Sequence, residues 1–376
     1  MIISLISQNA SPGLLIFRKD LILSLVEQGH KVYCFAVDYD STSRDFITRL
    51  GATPIDYSLN KAGLNPFRDI RDILALSKEL KAIRSDIAIS FFVKPSMYGT
   101  LAAKLAGVPR RIAMLEGLGY IYTPSPSGFS LKKKILQAIH GLLSSVSYFF
   151  AEKVLFLNHD DPADLLRKAW IKKEKIFVVG PIGLDLNFYP YSPVETARPV
   201  RFIFIARLLA EKGIFEYLEA ARLVKRHYPN SEFVVLGGLD PDNPTALSNE
   251  QLQTVIDEGI IIYPGHVSNV PDWIVSSHVF VLPSYREGFP RSTQEAMAIG
   301  RAVITTDTPG CRNTVSEGVN GYLVPPWNSA LLAEKMLHLI EHPEKIRRMG
   351  DESNRIAVEN YDVHRINSVF TSLIVG

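Results

Sequence analysis

Glu287 and Glu295 lie eight positions apart in Ser284-Tyr285-Arg286-Glu287-Gly288-Phe289-Pro290-Arg291-Ser292-Thr293-Gln294-Glu295-Ala296-Met297. Ionised carboxylates only accept hydrogen bonds, so a pair of them suits a ligand rich in hydroxyls. The preceding run Val279-Phe280-Val281-Leu282-Pro283 has the pattern of a buried strand, and Ala296-Met297-Ala298-Ile299 ends at Gly300 as a helix ends. The segment therefore reads as strand, glycine-bearing loop and helix. That order aims the helix N-terminus and its amides at whatever lies beyond the strand, a natural anion site. One carboxylate falls on the loop and the other in the helix's first turn. A ligand carrying both phosphate and several hydroxyls, such as a nucleotide sugar, matches that arrangement. A glutamate in a helix's first turn also complements the dipole with no ligand at all, so the rest of the chain has to decide.

A second apolar strand, Phe202-Ile203-Phe204-Ile205, runs into Ala206-Arg207-Leu208-Leu209-Ala210-Glu211-Lys212-Gly213, and a helical pattern follows from Phe215 to Val224. Two cations at the carboxyl end of a parallel strand can meet a diphosphate, Arg207 as a fork and Lys212 as a point charge. Either is also an ordinary surface cation when read alone. Ile260-Ile261-Ile262-Tyr263 closes on Pro264-Gly265, and the backbone groups at His266 and Val267 are placed to read a base edge. Pro309-Gly310 and the segment Glu317 to Val324 form a turn and strand that would buttress the same side of the sheet. The triplets Asp38-Tyr39-Asp40 and Asp240-Pro241-Asp242 read as turn and surface residues, and no Cys/His cluster has the spacing of metal ligands.

In this order, Arg207…Lys212, then Gly265-His266-Val267, then Glu287-Gly288-Phe289-Pro290…Glu295, these motifs resemble the retaining glycosyltransferases of the GT4 family. That family has the GT-B architecture: two Rossmann-like, doubly wound α/β domains facing across a cleft. The resemblance covers most of the chain. It implies that Arg207 and Lys212 bind the donor diphosphate and that Gly288 to Pro290 contact the donor sugar and phosphate. It further implies that Glu295 holds the ribose hydroxyls and that Glu287, the catalytic candidate, orients the transferring sugar. Leaving-group charge would be met by Arg207, Lys212 and the amides near Ser292 and Thr293, without a metal or other cofactor. Retention by same-face displacement is likewise implied by the family alone.

The N-terminal part offers candidates for the acceptor. The loop Gln8-Asn9-Ala10-Ser11-Pro12-Gly13 follows the first strand and lacks the three spaced glycines of a dinucleotide fingerprint. Gly13 permits close backbone approach to a ligand and lies, by resemblance, under the donor diphosphate or the acceptor; Arg18 reads as a helix-surface cation. Lys94 is expected at a strand's carboxyl end, as a phosphate contact or a surface lysine. Glu116-Gly117-Leu118-Gly119-Tyr120 is similar to bacterial transferases that extend lipid-linked oligosaccharides. Glu116 reads either as orienting an acceptor hydroxyl or as accepting bonds from its own glycine-rich loop. Many relatives carry a histidine where this chain has Val93, so a histidine role there is not carried over.

The supporting elements follow from periodicity. Strands at Ile2 to Ser7, Lys31 to Val37, Ile87 to Phe92, Arg111 to Met114 and Lys153 to Leu157 alternate with helices at Phe17 to Gln28, Asp69 to Ile83 and Tyr98 to Ala106. Such alternation argues a parallel sheet covered on both faces, and it restarts at Arg201 with a further strand at Glu232 to Leu236. Pro190, Pro193 and Pro199 put the boundary within Gly183 to Arg198. The expected division is 1–185 (acceptor), 186–358 (nucleotide sugar) and a helix within 359–376 that, by resemblance, crosses back to the first domain.

Composition agrees. The 376 residues are 47% hydrophobic with a net charge of +2, which describes a globular chain with no dense basic block for nucleic acid. Cys34 and Cys311 are too few for a disulfide framework, no signal peptide is expected from the opening strand Ile2 to Ser7, and no apolar run spans a bilayer. A cytoplasmic protein, peripheral on the inner face of the cytoplasmic membrane, is expected. Lys132, Lys133 and Lys134 open an apolar stretch reaching Phe150 that reads as anionic-membrane contact, although most of its apolar residues are expected in the core. Three functions compete on these residues. The first is transfer of a hexose or N-acetylhexosamine from a nucleotide sugar, UDP-linked by preference, to an undecaprenyl-diphosphate saccharide in bacterial surface polysaccharide assembly. The others are a nucleotide-sugar epimerase and a non-catalytic sugar-nucleotide-binding protein.

Overall fold

The computed structural model describes residues 1–60, 65–195 and 199–376, so the Arg198 end of the expected boundary lies outside them. The chain forms two units. One comprises Met1–Tyr122, Phe129–Ile182 and His364–Gly376; the other comprises Thr123–Gly128 and Gly183–Val363. Against the expected divisions, the chain changes unit at Gly183 and again at His364, and six residues from Thr123 to Gly128 group with the second unit.

The first unit is a parallel sheet of β1 (Ile2–Ile6), β2 (Lys31–Ala36), β3 (Thr53–Asp56), β4 (Ile87–Phe91), β5 (Arg110–Leu115), β6 (Lys153–Phe156) and β7 (Ile176–Val178). Its order is β3-β2-β1-β4-β5-β6-β7. The second unit holds β8 (Arg201–Ile205), β9 (Glu232–Leu236), β10 (Ile262–Gly265), β11 (Val279–Leu282), β12 (Ala302–Thr306) and β13 (Gly321–Val324), in the order β10-β9-β8-β11-β12-β13. In both, the winding reverses beside the first strand, and open sheets of this kind bind ligands at the carboxyl ends flanking that reversal. Central strands buried on both faces read as continuous apolar runs: β11 is Val-Phe-Val-Leu with every residue buried.

One of the expected helices starts earlier than expected and another falls where it was expected. The helix expected at Tyr98 begins at Val93, so Lys94 sits in a helical first turn rather than on a loop. The expected C-terminal helix spans Val363–Val375. Its carbonyl at Val375 accepts a bond from Arg110 at 2.8 Å within the first unit.

The largest correction concerns the Leu131–Phe149 helix. Its buried residues are Lys133, Gln137, His140, Gly141, Ser144, Ser147 and Tyr148, whereas Leu131, Ile135, Ile139, Leu142, Val146 and Phe149 are exposed. The apolar face points outward. Some polar groups on the inner face find partners: Gln137 donates to the Ile121 carbonyl at 2.8 Å, and His140 Nδ1 meets the Tyr122 hydroxyl at 3.0 Å, while His140 Nε2 is buried without a hydrogen bond. Burial pushes His140 down to about 4, so it is neutral at physiological pH. Of the three lysines, Lys133 is turned inward with its ammonium 3.8 Å from the Tyr120 ring centre.

Cys34, on β2, and Cys311, after β12, are free and buried, one in each unit.

Candidate functional site

The loops after β8 and β11 are held together by close backbone approach. Gly213 has φ +78, and a Cβ there would lie 2.2 Å from the Pro283 carbonyl oxygen. Tyr285 N donates to the Glu211 carbonyl at 2.9 Å, which ties the loops a second time. From the other side Glu287 N donates to the Pro309 carbonyl at 2.9 Å. Gly310, with φ +79, allows this contact, because a Cβ would come within 2.3 Å of the Glu287 carbonyl oxygen. Glycine is needed at both positions by conformation and by space. The Pro309-Gly310 segment thus supports the loop that carries Glu287.

This backbone brings Lys212 and Glu287 together. Lys212 Nζ is 2.6 Å from Glu287 Oε1, and Ser284 Oγ donates to the same oxygen at 2.8 Å. Both side chains remain partly accessible. Beside them the Arg291–Ile299 helix starts at Pro290 with no side-chain cap and stops at Gly300 in the left-handed conformation. An uncapped first turn leaves amides without an intrahelical acceptor, next to a lysine, at the reversal point of the sheet. Chemically, a lysine and uncapped helix amides can receive an anion, and a carboxylate can accept from a hydroxyl.

Arg207 extends into solvent and pairs with Asp240 at 2.9 Å. Asp240, expected as a plain surface residue, is therefore the partner that orients Arg207. Glu295 is held more firmly than expected: its Oε1 accepts from the Tyr189 hydroxyl at 2.8 Å and from Arg291 Nε at 3.0 Å. Burial pushes its carboxyl above the ordinary range, against the opposing pull of Arg291. The Arg291 contact is an i, i+4 pair visible in the sequence; Tyr189, 106 residues away, carries no local signal.

The remaining donor candidates divide. Ser292 lies in the first helical turn and is half-buried, while Thr293 is fully buried and its hydroxyl makes no hydrogen bond within the protein. Phe289 packs edge-on against Tyr361, with ring centres 5.7 Å apart, and Gly288 and Pro290 are buried. His266 is exposed just past β10, and Val267 packs partly buried against the core of the unit.

Gly13 belongs to the first unit. Its amide donates to Asn9 Oδ1 at 3.1 Å, and a Cβ would lie 2.3 Å from Ser7 Oγ, so the glycine closes its own loop onto the end of β1. Arg18, expected on a helix surface, is buried: the side chains of Arg18 and Glu116 are 2% and 5% exposed and form an ion pair. The guanidinium sits 4.3 Å above the Phe91 ring centre and also donates to the Phe17 carbonyl at 2.8 Å. Burial raises the Glu116 carboxyl's affinity for a proton while Arg18 lowers it. Glu116 is thus the partner of Arg18, from which the Gly117 to Tyr120 loop departs with φ +116 at Gly117 and +73 at Gly119. Lys94 bonds the Asn60 carbonyl at 2.8 Å and Asp69 at 3.0 Å, and Asp69 also accepts from the Tyr98 hydroxyl. Among the described residues no group of three or more His, Cys, Asp or Glu is placed to hold a metal ion. Asp40 instead caps the Ser41–Arg49 helix.

Two family models match the chain: "Glycosyl transferases group 1" over residues 192–355 and "Glycosyl transferase 4-like" over residues 7–153. The chain is 32% identical over 352 residues to the N,N'-diacetylbacillosaminyl-diphospho-undecaprenol alpha-1,3-N-acetylgalactosaminyltransferase of Campylobacter jejuni, covering 90% of this chain and 89% of that one. It is 24% identical to the UDP-Gal:alpha-D-GlcNAc-diphosphoundecaprenol alpha-1,3-galactosyltransferase of Escherichia coli, covering 68% and 67%. In fold it matches Anabaena HepE, crystallised with UDP, with a TM-score of 0.79 at 19% identity over the full length of both chains. None of these relatives is named as an epimerase. With a lysine–carboxylate pair on the loops at the sheet's reversal point, two doubly wound parallel sheets and relatives of this kind, the chain belongs to the group 1, GT4-type glycosyltransferases of GT-B architecture.

Proposed function

We propose that this glycosyltransferase moves a hexose or N-acetylhexosamine from a UDP-sugar to a saccharide carried on undecaprenyl diphosphate, in bacterial surface glycan assembly. The observation that carries the reading is the Lys212–Glu287 pair, 2.6 Å apart, beside the uncapped Arg291–Ile299 helix. A diphosphate seated there meets Lys212, the helix amides and Arg207, leaving Glu287 on the sugar side and Glu295, braced by Tyr189 and Arg291, for the ribose. In the reaction the bond between the anomeric carbon and the diphosphate oxygen breaks, and an acceptor hydroxyl oxygen bonds that carbon. The hydroxyl proton goes to the departing phosphate oxygen. Fixed cations and amides stabilise the charge that grows on the leaving group, so no metal is required. Retention of configuration is the outcome proposed.

The relatives named for undecaprenol-linked substrates support the acceptor class. Gly13 beside the donor diphosphate, Lys94 and the Glu116 to Tyr120 loop on the acceptor, and work at the inner face of the cytoplasmic membrane complete the proposal. Among the described residues no helix is long and apolar enough to cross a membrane.

The test uses a panel of nucleotide sugars with and without an undecaprenyl-diphosphate saccharide. UDP is expected to be released only when both substrates are present. Saturating UDP alone should raise the melting temperature, since a ligand at a hundred times its Kd stabilises the folded state by about 2.7 kcal/mol. Release of UDP without acceptor, or transfer only from a donor with a different base, would overturn the assignment.

A further inference from the structure

The Leu131–Phe149 helix is inside out for a globular chain. At 3.6 residues per turn, Leu131, Ile135, Ile139, Leu142, Val146 and Phe149 fall within an arc of about 80°, and all six are exposed, Leu131, Leu142 and Phe149 by 75%, 65% and 67%. The opposite arc is polar and buried. Scattered exposed apolar residues mean little, but a contiguous stripe of this length marks a surface that something covers.

The neighbouring segment is pressed onto the same helix. A Cβ at Gly141 would lie 2.2 Å from the Lys168 carbonyl oxygen, so only a glycine admits that approach. Trp170 N then donates to Ser145 Oγ at 2.8 Å, which fixes the backbone while the indole ring stands 92% exposed. The chemistry of the rim selects the occupant. Lys132 and Lys134 are exposed on either side of the stripe, and Arg167, Lys168, Lys172 and Lys173 are exposed around Trp170. From Leu131 to Ala151 the sequence contains no acidic residue. A long apolar stripe, a cationic rim and an exposed tryptophan together complement an anionic lipid surface, with the helix lying in the interface rather than crossing it.

We propose that the Leu131–Phe149 helix and Trp170 form a membrane-docking face that inserts its apolar stripe beneath anionic headgroups while the lysine rim meets their phosphates. The inference deepens the lipid-linked-acceptor reading and takes its biological purpose from it. It differs from contact by three consecutive lysines, because Lys133 is turned inward onto Tyr120 and apolar insertion supplies the grip.

The full chain is to be sedimented with vesicles of phosphatidylglycerol and phosphatidylethanolamine, and separately with phosphatidylcholine alone. Binding to the anionic vesicles is expected. The variant L142S/F149S/W170S should lose more than about tenfold in partitioning, and K132E/K134E/K172E should lose a similar factor at low salt. Because these side chains are exposed, both variants should melt at or above the native temperature and keep the UDP-induced thermal shift. Undiminished partitioning of the serine variant would overturn the proposal. So would light scattering showing a native dimer that the serine variant breaks while native chain ignores the vesicles, since the stripe would then be covered by a second copy. The vesicle result stands whether or not UDP binds, so failure of the transferase reading and failure of the docking face are seen separately.

Discussion

Lys212→Ala is expected to lower turnover by about a hundredfold to a thousandfold, the usual cost of removing one fixed donor from a developing anion. Lys212 belongs to the proposed diphosphate seat rather than to the core: its ammonium ends 2.6 Å from Glu287, both side chains are partly accessible, and Gly213 sets the backbone without help from the lysine. The variant should therefore melt within a degree or two of the native protein, a surface-like change, while kcat collapses. Initial rates at saturating acceptor, read beside a thermal scan, check both halves. A rate within a few-fold of native would remove Lys212 from the diphosphate.

Arg18→Met carries the largest expected effect on stability. Arg18 and Glu116 are both buried, and removing one member of a buried pair typically costs about 3–5 kcal/mol because the other charge is stranded. Urea unfolding of the first unit should show the loss. The double variant R18M/E116L should recover most of it, since apolar replacement of a whole buried pair is often neutral or stabilising. The pH dependence has a definite sign. Burial already raises the Glu116 carboxyl, and Arg18 is the group that lowers it; in Arg18→Met the folded-state value climbs further above the unfolded one. A raised carboxyl contributes stability below its unfolded pKa and loses it as pH rises through the folded one. The single variant should thus regain stability as the pH falls from neutral towards the ordinary carboxyl range, and the double variant should not.

The doubly wound architecture was readable because buried parallel strands are continuous apolar runs separated by helical periods, as at Val279 to Leu282. Two edge strands escaped that reading. β3 is only Thr-Pro-Ile-Asp and β7 only Ile-Phe-Val, too short to show a period, and a proline argues against a strand except at an edge. At the site, the positions of Glu287 and Lys212 followed from strand, loop and helix order. Their mutual contact did not, because it depends on loops brought together by Gly213 and Gly310. Pairs such as Tyr189 with Glu295 join distant parts of the chain and leave no local pattern. The outward face of Leu131–Phe149 was missed for another reason. The apolar and polar residues of that helix share one helical period, so periodicity separates the faces without saying which is inside.

Each unit carries a single sulfhydryl, and both are shut away from reagent. Burial drives Cys34 upward and Cys311 to about 11, so neither ionises appreciably at neutral pH, and the ionised form is the one that reacts. Alkylation must wait until the surrounding sheet opens. Timed labelling followed by peptide mass analysis would therefore clock the breathing of the two units independently, on the unmodified sequence and with no engineered probe.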